Sequence, residues 1–403
     1  MSLSRTRRWF LGAGGAITAA LAACRSKSPG PPMEPRALGA GIRPYGARSP
    51  HETASRFFRP TTIPEEASSR TPLQDTYGII TPSSLHFERH HAGVPDLDPA
   101  VHTLTIHGLV ERPTVFTIAD LKRMPSVSRI VFLECSGNSA SEWRGAGEAD
   151  VQRAHGLTSC SEWTGVPLAL LLKECGVDPK ASWILGEGGD ACKLARSLPM
   201  HKAMDDVLVA YGQNGEPLRP EQGYPMRLLV PGYEGNVNVK WLRRVKVMNE
   251  PAMTRWETSK YTDLLADGTA RQFTLAMDAK SIVTRPSGSM TLPGAGVYEV
   301  TGIAWSGRGA IAHVDVTTDG GATWLPAELE TPVLPQAHTR FRRSWKWDGS
   351  PARLASRATD ATGYEQPERT ALVAVRGVHS NYHNNAIQWW NVAADGSVTN
   401  GNS

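Results

Sequence analysis

Short runs of alternating apolar and polar residues dominate the chain, and one of them ends in a turn that carries a cysteine. Residues 128–133 predict a β-strand that ends at Glu134. Cys135-Ser-Gly-Asn138 follows, and small residues of this kind tolerate the backbone angles of tight turns. The pattern therefore places the Cys135 thiol at the open end of a strand. There it could ligate a soft metal, form a disulfide or act as a nucleophile, and a buried structural cysteine is the alternative.

The pattern on either side of this strand predicts two domains of different character. Residues 76–250 mix short strands with short helices, among them one that begins after Thr117 and one at 168–175. Residues 273–398 form a series of short strands separated by turn signals, which is typical of an immunoglobulin-like β-sandwich. The predicted fold class is therefore α+β, a ligand-binding domain followed by a β-sandwich, with a linker at 251–272.

The N-terminal residues indicate export. Residues 1–24 contain Arg7-Arg8 before an apolar run that is shorter than the roughly 20 residues of a membrane span, as in a twin-arginine signal peptide. Leu21-Ala-Ala-Cys24 is similar to a lipobox, so either Cys24 becomes a lipidated N-terminus or cleavage is of the ordinary Ala-x-Ala type. Residues 25–75 lack periodicity and predict a tether or an extended arm. A periplasmic protein is expected.

Charge and cysteine spacing exclude several classes of partner and cofactor. The formal net charge is +4, and removal of the three arginines in the signal leaves +1, which argues against nucleic-acid binding. No Cys-x-x-Cys occurs, so we expect no haem attachment site and no zinc knuckle in this chain. After Cys24 the cysteines are Cys135, Cys160, Cys175 and Cys192. We expect them to be mostly buried thiols.

Polar residues that suit an anionic ligand are scattered through the first domain. Arg89 and His91 end a strand-like segment, and Asp190 follows a glycine-rich loop. Arg227 and Lys240 add two cations at strand ends. Together these residues offer donors for a phosphate-bearing ligand. His90 and His91 are not expected to share a metal ion, because adjacent side chains on a strand point to opposite faces.

Five motifs occur in the order seen in the sulfite oxidase family, which the chain resembles over residues 76–398. They are Phe87-x-Arg89-x-His91, Cys135-Ser-Gly-Asn138, Trp163-Thr-Gly-Val-Pro-Leu168, Gly223-Tyr-Pro-Met-Arg227 and Asn238-Val-Lys-Trp241. The resemblance implies a mononuclear molybdenum held by one molybdopterin and by one protein thiolate. It also implies that 76–250 is the molybdopterin-binding oxidoreductase domain and that 273–398 is a dimerisation domain.

The resemblance assigns roles to individual residues. Cys135, Arg89 and Tyr261 are the expected catalytic residues. Cys135 is the expected metal ligand, and Arg89 and Tyr261 lie beside the metal, where they bind an anionic substrate and tune proton movement. The residues expected to hold the pterin and its phosphate are Phe87, Glu88, Arg89, His90, His91, Asp190, Arg227, Asn238, Val239 and Lys240. A soft thiolate for a soft metal and fixed cations for phosphate agree with this assignment.

Some positions depart from the family pattern. Ser139 and Ala140 follow the cysteine turn where sulfite oxidases carry two arginines, and Gln222 replaces a histidine. A site with less positive charge would hold free sulfite less well and would better suit a sulfane carried on another protein. Four further segments resemble the subgroup of the family that oxidises such sulfane sulfur; they lie at 219–225, 257–264, 304–309 and 382–386.

The resemblance thus implies an exported molybdenum oxidoreductase that oxidises the persulfide of a sulfur-carrier protein by oxo transfer. Because no haem motif is present, we expect the electrons to leave through a dihaem c-type cytochrome subunit, with a homodimer of this chain inside a heterotetramer. One alternative is a sulfite dehydrogenase that acts on free sulfite. Another is a non-catalytic exported binding module.

Overall fold

The strand before Cys135 runs from Val127 to Glu134 in the computed structural model, which describes residues 39–145 and 147–401. It pairs antiparallel with Thr158–Pro167 along its whole length. Its C-terminal half is buried, so the apolar run forms because it lies in the core and the turn forms where the strand leaves it. The predicted signal peptide and Cys24 lie outside the described residues.

Two sheets, the first antiparallel and the second mixed, form the first domain and share an apolar core. The first has the order β11-β10-β7-β6, with β12 also paired to β10. Its strands are β6 (Val127–Glu134), β7 (Thr158–Pro167), β10 (Leu208–Gln213), β11 (Glu216–Pro217) and β12 (Arg227–Leu229). The second has the order β5-β4-β13-β8-β9, in which only β4 and β13 run parallel. Its strands are β4 (Thr103–Gly108), β5 (Thr114–Thr117), β8 (Trp183–Gly188), β9 (Ala195–Pro199) and β13 (Leu242–Met248).

Short helices connect these strands, as the sequence predicted. Thr117 caps the first helix through a reciprocal pair of hydrogen bonds with Asp120, and Gly176 ends the third helix in the left-handed region. The α-helices are α1 (Ile118–Arg123), α2 (Val151–His155), α3 (Leu168–Cys175), α4 (Met200–Ala203), α5 (Arg255–Thr258) and α6 (Arg369–Arg376). In the part of the chain that the structure describes, none of the helices has the length and apolar character needed to cross a membrane.

Part of the segment predicted as a tether is folded. A small sheet of order β1-β2-β3 contains β1 (Phe57–Arg59), β2 (Ser68–Arg70) and β3 (Glu88–Arg89). Leu73 is buried, and the Thr71 backbone N–H donates to the Gly156 oxygen. The expectation that folded structure begins near residue 76 is therefore wrong, because polar strands held by backbone pairing carry little hydrophobic periodicity. The described residues 39–53 contain no helix or strand.

Two other local predictions need correction. The glycine-rich loop before Asp190 is largely strand, because β8 extends to Gly188 and pairs on both sides. The predicted linker at 251–272 contains helix α5 and a two-stranded ladder of β14 (Asp263–Leu264) and β15 (Ala270–Arg271), and Trp256 within it is buried.

The second domain is a β-sandwich, and the predicted fold class is confirmed. One sheet has the order β16-β17-β21-β20 and the other β19-β18-β22-β23-β24. The strands are β16 (Lys280–Arg285), β17 (Gly296–Trp305), β18 (Ile311–Thr317), β19 (Leu325–Pro326), β20 (Glu328–Leu329), β21 (Thr339–Trp347), β22 (Ala352–Asp360), β23 (Trp389–Val392) and β24 (Val398–Asn400).

The sandwich core continues into the first domain. Phe132 of β6 and Cys160 of β7 belong to the same buried apolar cluster as Trp305, Phe341 and Trp390 of the sandwich. The Phe132 ring lies 6.4 Å from the Trp305 ring, centroid to centroid. The strand that carries the cysteine turn is therefore packed against the second domain.

Candidate active site

A cavity opens where β6 ends, and its walls come from segments far apart in sequence. It encloses about 560 Å³ of empty space, including its open mouth. Eight of the residues predicted to form the site line it, including all three of the expected catalytic residues. The lining residues are His86, Phe87, Arg89, His91, Leu133, Cys135, Leu194, Gln222, Arg227, Gly235, Asn236, Asn238, Lys240 and Tyr261.

Cys135 stands at the base of this cavity on a tight turn. Its backbone N–H donates to the Leu157 oxygen at 2.9 Å, and its own carbonyl accepts from Asn138 N–H at 2.8 Å. The structure has no disulfide at this residue, whose thiol is free. Burial raises the pKa of the Cys135 thiol, while the Gly137 N–H and the nearby Arg89 and Arg70 charges act in the opposite direction.

Tyr261 faces the cavity from the segment between the two domains, with its backbone in an uncommon conformation. Its φ is 52°, in the left-handed region that is costly for a bulky side chain. The His91 ring nitrogen Nε2 lies 2.7 Å from the Tyr261 hydroxyl, and the Arg196 guanidinium lies 4.8 Å from the centre of its ring. These two contacts hold the phenol in place.

The titration of this pair is shifted so that both groups are neutral. The pKa of His91 is lowered to about 3. Burial is the largest cause, and the positive charges of Arg89 and Lys240 follow. Burial and the Cys135 charge raise the pKa of Tyr261 above its usual range. Near neutral pH a neutral imidazole therefore faces a protonated phenol. With His91 Nε2–H donating to the Tyr261 oxygen, the phenol hydrogen is free to be donated to an anionic ligand.

Arg227, which is buried, and Lys240, which is partly buried, form another part of the cavity wall. Arg227 donates from Nη1 to the Gln222 oxygen at 3.0 Å and from Nη2 to the Asn238 oxygen at 2.9 Å. Lys240 donates to the Glu221 oxygen at 3.1 Å and lies 2.8 Å from His90 Nδ1. Burial lowers the pKa of Arg227 to about 9, and burial followed by the Arg227 charge lowers the pKa of Lys240 to about 7.

This wall has the chemistry of an anion site. Arg227 Nε is buried without a hydrogen-bond partner, and Arg227 lines the cavity. A buried donor without a partner is costly, and a phosphate oxygen would satisfy it. Among the described residues, no carboxylate lines the cavity. The residues present therefore fit an anionic group such as the phosphate of a molybdopterin.

The same region has too few protein ligands for a metal held by side chains alone. Within residues 39–145 and 147–401, no group of three or more His, Cys, Asp and Glu residues is placed to hold an ion. A metal at Cys135 would thus need its other ligands from a cofactor, which is what a pterin dithiolene provides.

Four of the predicted cofactor-binding residues lie outside the lining. Glu88 forms an ion pair with Arg56 and lies 2.8 Å from His90, and His90 in turn contacts Lys240. Glu88 and His90 therefore help to position Lys240. Asp190 accepts hydrogen bonds from the Cys192 thiol and the Leu194 N–H, and the Val239 side chain is buried in the core. Their direct contact with a cofactor stays a prediction. The two histidines point to different partners, as expected from a strand.

Sequence reasoning missed several residues that complete the cavity. Gln222, noted only as a departure, donates from Nε2 to the Phe87 oxygen at 3.0 Å and so holds the Phe87–His91 segment. Asn236 donates to Ser136 Oγ at 3.0 Å and to Glu234 Oε2 at 2.7 Å. The motif that marked Asn238 begins after Asn236, and only the position of residues 235–236 beside Cys135 reveals this contact.

The low pKa of Lys240 leads to a prediction about anion binding. Below about pH 7 Lys240 is an ammonium and attracts an anion; above it the charge is lost, while His86 and His91, with pKa values of about 3, stay neutral. We expect sulfate, whose charge is constant between pH 6 and 8, to bind protein free of cofactor about tenfold more weakly at pH 8. Titration calorimetry measures this. Lys240→Met should bind weakly at both pH values, and a pH dependence that survives in it would contradict the assignment.

Comparison with known proteins agrees with the fold. Residues 91–256 match the oxidoreductase molybdopterin binding domain, and residues 271–390 match the Mo-co oxidoreductase dimerisation domain. The sulfane dehydrogenase SoxCD from Paracoccus pantotrophus has a chain that superposes with a TM-score of 0.89 at 46% identity, covering 91% of this chain and 95% of that chain.

More distant relatives are longer proteins. The mitochondrial sulfite oxidase of Rattus norvegicus is 32% identical over 337 residues, which are 76% of this chain and 61% of that protein. A nitrate reductase of Solanum lycopersicum is 33% identical over 341 residues, which are 73% of this chain and only 37% of that protein.

The two domains and the cavity thus define a molybdopterin-dependent oxidoreductase. The chain belongs to the sulfite oxidase family, and among solved structures it is similar to the sulfane dehydrogenase SoxCD over nearly its whole length.

Proposed function

We propose that this protein is the molybdenum subunit of a sulfane dehydrogenase. It would oxidise the terminal sulfur of a cysteine persulfide on a carrier protein and pass the electrons to a c-type cytochrome. The observation that carries the proposal is the meeting of Cys135, Arg89 and Tyr261 in one cavity whose wall fits a phosphate. When bound, the molybdenum pterin supplies oxo transfer to sulfur and accepts two electrons.

The residues of the chain have separate tasks in this scheme. Cys135 would hold the metal from the base of the cavity, while Arg227 and Lys240 would hold the phosphate end of the pterin. Arg89 would attract the anionic sulfur substrate. Tyr261, kept protonated by burial and positioned by His91, would donate a hydrogen bond to the substrate anion.

Two observations favour a carrier-bound substrate over free sulfite. The SoxCD chain is 46% identical over 91% of this chain, whereas the sulfite oxidase of Rattus norvegicus is 32% identical over 76% of it. Ser139 and Ala140 stand where sulfite oxidases carry two arginines, and among the described residues the arginines and lysines that line the cavity are Arg89, Arg227 and Lys240. A dianion such as sulfite would therefore find fewer cations here than in those enzymes.

Kinetics with two substrates test the proposal. We expect kcat/KM for a persulfidated carrier protein to exceed that for sulfite by about tenfold or more, because binding energy from the carrier surface adds to recognition of the sulfur. Reduction of a c-type cytochrome is the readout, and the carrier with its cysteine replaced by serine is the control. Faster turnover with sulfite would favour the sulfite dehydrogenase. Only trace molybdenum in the matured protein would favour a binding module.

We further propose that the protein is exported through the twin-arginine route and works as a homodimer with a dihaem cytochrome partner. The Arg7-Arg8 pair, the match of residues 271–390 to a dimerisation domain and the absence of Cys-x-x-Cys-His from the sequence support this arrangement. Cell fractionation checks export, and haem analysis of the complex purified from the periplasm checks the cytochrome partner. Material retained in the cytoplasm, or a complex without haem, would contradict them.

A further inference from the structure

The second domain forms hydrogen bonds with both ends of the turn that carries Cys135. We call residues 134–139 the cysteine turn. The Glu134 carboxylate, which is 1% exposed, accepts from Trp305 Nε1 at 2.7 Å, from Asn138 Nδ2 at 2.9 Å and from Lys280 Nζ at 3.3 Å. Trp305 and Lys280 belong to strands β17 and β16 of the sandwich. Glu134, the residue before Cys135, is therefore hydrogen-bonded to the second domain.

Lys280 binds the other end of the turn as well. Its Nζ donates to Ser139 Oγ at 2.9 Å and to the Asn384 oxygen at 2.7 Å, in addition to Glu134. All three hydrogens of the ammonium thus have an acceptor, although the residue is only 1% exposed. Ser139 itself has a φ of 55°, a conformation that is rarely stable without such support.

The middle of the cysteine turn has further contacts to the sandwich. The His383 N–H donates to the Ser136 oxygen at 2.7 Å. Asn384 Nδ2 donates to the Ser139 oxygen at 3.3 Å. The turn is therefore held by a set of polar groups from the second domain, and Lys280 is the one that joins its two ends.

We propose that Lys280 is a positioning residue for Cys135. By bonding Glu134 and Ser139 at once, it fixes the separation of the two ends of the cysteine turn and hence the direction of the thiolate towards the metal. Each member of the buried pair of Lys280 and Glu134 carries a large desolvation cost, and two apolar side chains would fill the space without it, so a stabilising role alone does not account for the pair. This inference rests on the proposed function, in which Cys135 is the metal ligand.

The test compares Lys280→Met with Lys280→Arg in the matured holoenzyme. In Lys280→Met we expect molybdenum and pterin contents close to the parent, a shifted thiolate-to-molybdenum charge-transfer absorption, and kcat lower by about 100-fold with little change in KM, as for a misplaced reacting group. Lys280→Arg should restore part of the absorption and of kcat, because it keeps a buried donor.

A matched control separates positioning from stability. Lys202 forms a largely buried ion pair with Asp206 at 2.7 Å in the first domain, away from the cavity lining. Lys202→Met should lower the melting temperature and leave the absorption unchanged. If Lys280→Met does not fold, Trp305→Phe removes one donor to Glu134 and keeps most of the ring, and it should shift the absorption in the same direction.

The outcomes separate the positioning role of Lys280 from the assignment of Cys135 as the metal ligand. A parent protein that contains molybdenum and shows the charge-transfer band, together with a Lys280→Met variant of unchanged spectrum and kcat, would overturn the positioning role. Losses in Lys280→Met that match those of Lys202→Met at equal loss of stability would also overturn it. A parent protein without the band would instead contradict the assignment of Cys135.

Discussion

Replacement of Cys135 by serine is expected to lower kcat by about 10³-fold or more while the protein stays folded and retains the pterin. A serine hydroxyl is a harder and far less acidic group than a thiol, so it is a poor ligand for molybdenum. The backbone hydrogen bonds of residue 135 to Leu157 and Asn138 do not involve the side chain and should persist. The pterin should remain because Arg227 and Lys240, which would hold its phosphate, are unchanged in the variant.

Three measurements check this prediction: cytochrome reduction, the pterin content after denaturation, and the molybdenum content. Cys175→Ala is the matched control, since it removes a free thiol from the last turn of α3, outside the cavity. It should cost about 1 kcal/mol of stability and leave kcat unchanged. If Cys135→Ser kept substantial activity, another ligand would have to hold the metal. Complete loss of the pterin in this variant would show that the cofactor depends on the thiolate for binding.

Removal of the Arg196 charge should have the largest effect on stability. Arg196 is 1% exposed and donates to Glu234 Oε1 at 3.1 Å and to Glu257 Oε1 at 3.0 Å, and it also lies over the Tyr261 ring. Arg196→Met would leave two buried carboxylates without their cation. The expected loss in the free energy of unfolding is about 3–5 kcal/mol, measured by urea denaturation.

The effect should reach the cavity, because Glu234 also accepts from Asn236, a lining residue, and lies 3.2 Å from His383 Nε2 of the second domain. Burial is the largest single influence and opposes ionisation of Glu234, but Arg196, His383 and Asn236 together outweigh it and lower the pKa of the carboxyl to about 2. In the variant this support is lost, so the pKa should rise. Stability near neutral pH should therefore fall most, since a carboxyl with a depressed pKa stabilises the fold above its unfolded value of about 4.3 and loses that contribution at lower pH.

Two controls sharpen the measurement. Arg357 pairs with Asp315 and Glu365 and is about a quarter exposed. Arg357→Met should therefore lower the free energy of unfolding by at most about 1 kcal/mol. The double variant Arg196→Met with Glu257→Gln should recover part of the loss, because one unpaired charge is removed with the cation. Equal losses for Arg196→Met and Arg357→Met would show that the buried network contributes no more than a surface ion pair.

Local patterns were sufficient for the strand that leads to Cys135 and for helices α1 and α3. Each of these depends on a few adjacent residues: an apolar run that ends in small residues, a threonine with an aspartate three positions later, and a glycine after the last turn. The five ordered motifs likewise identified the family from short segments. Such features can be predicted from the sequence because they depend on residues that are close together along the chain.

The polar support of the site could not be read in this way. Lys280 meets Glu134 across 146 positions of sequence, and Tyr261 meets His91 across 170. Nothing about a lysine at the start of a strand shows that it will be buried, and no local signal marks Arg196 or Glu234 as partners. The folded stretch at 57–70 was missed for the same reason, since its strands depend on pairing and not on an apolar pattern.

Order along the chain therefore decided which elements form, where Cys135 lies on its turn and which family the protein belongs to, because these follow from short-range sterics, hydrogen bonding and hydrophobic periodicity. The packing of the sandwich against the first domain decided which charges are buried, which cations converge on one cavity and which residues hold the cysteine turn. Desolvation and charge pairing depend on distances in space, and those distances exist only once the two domains have closed around β6.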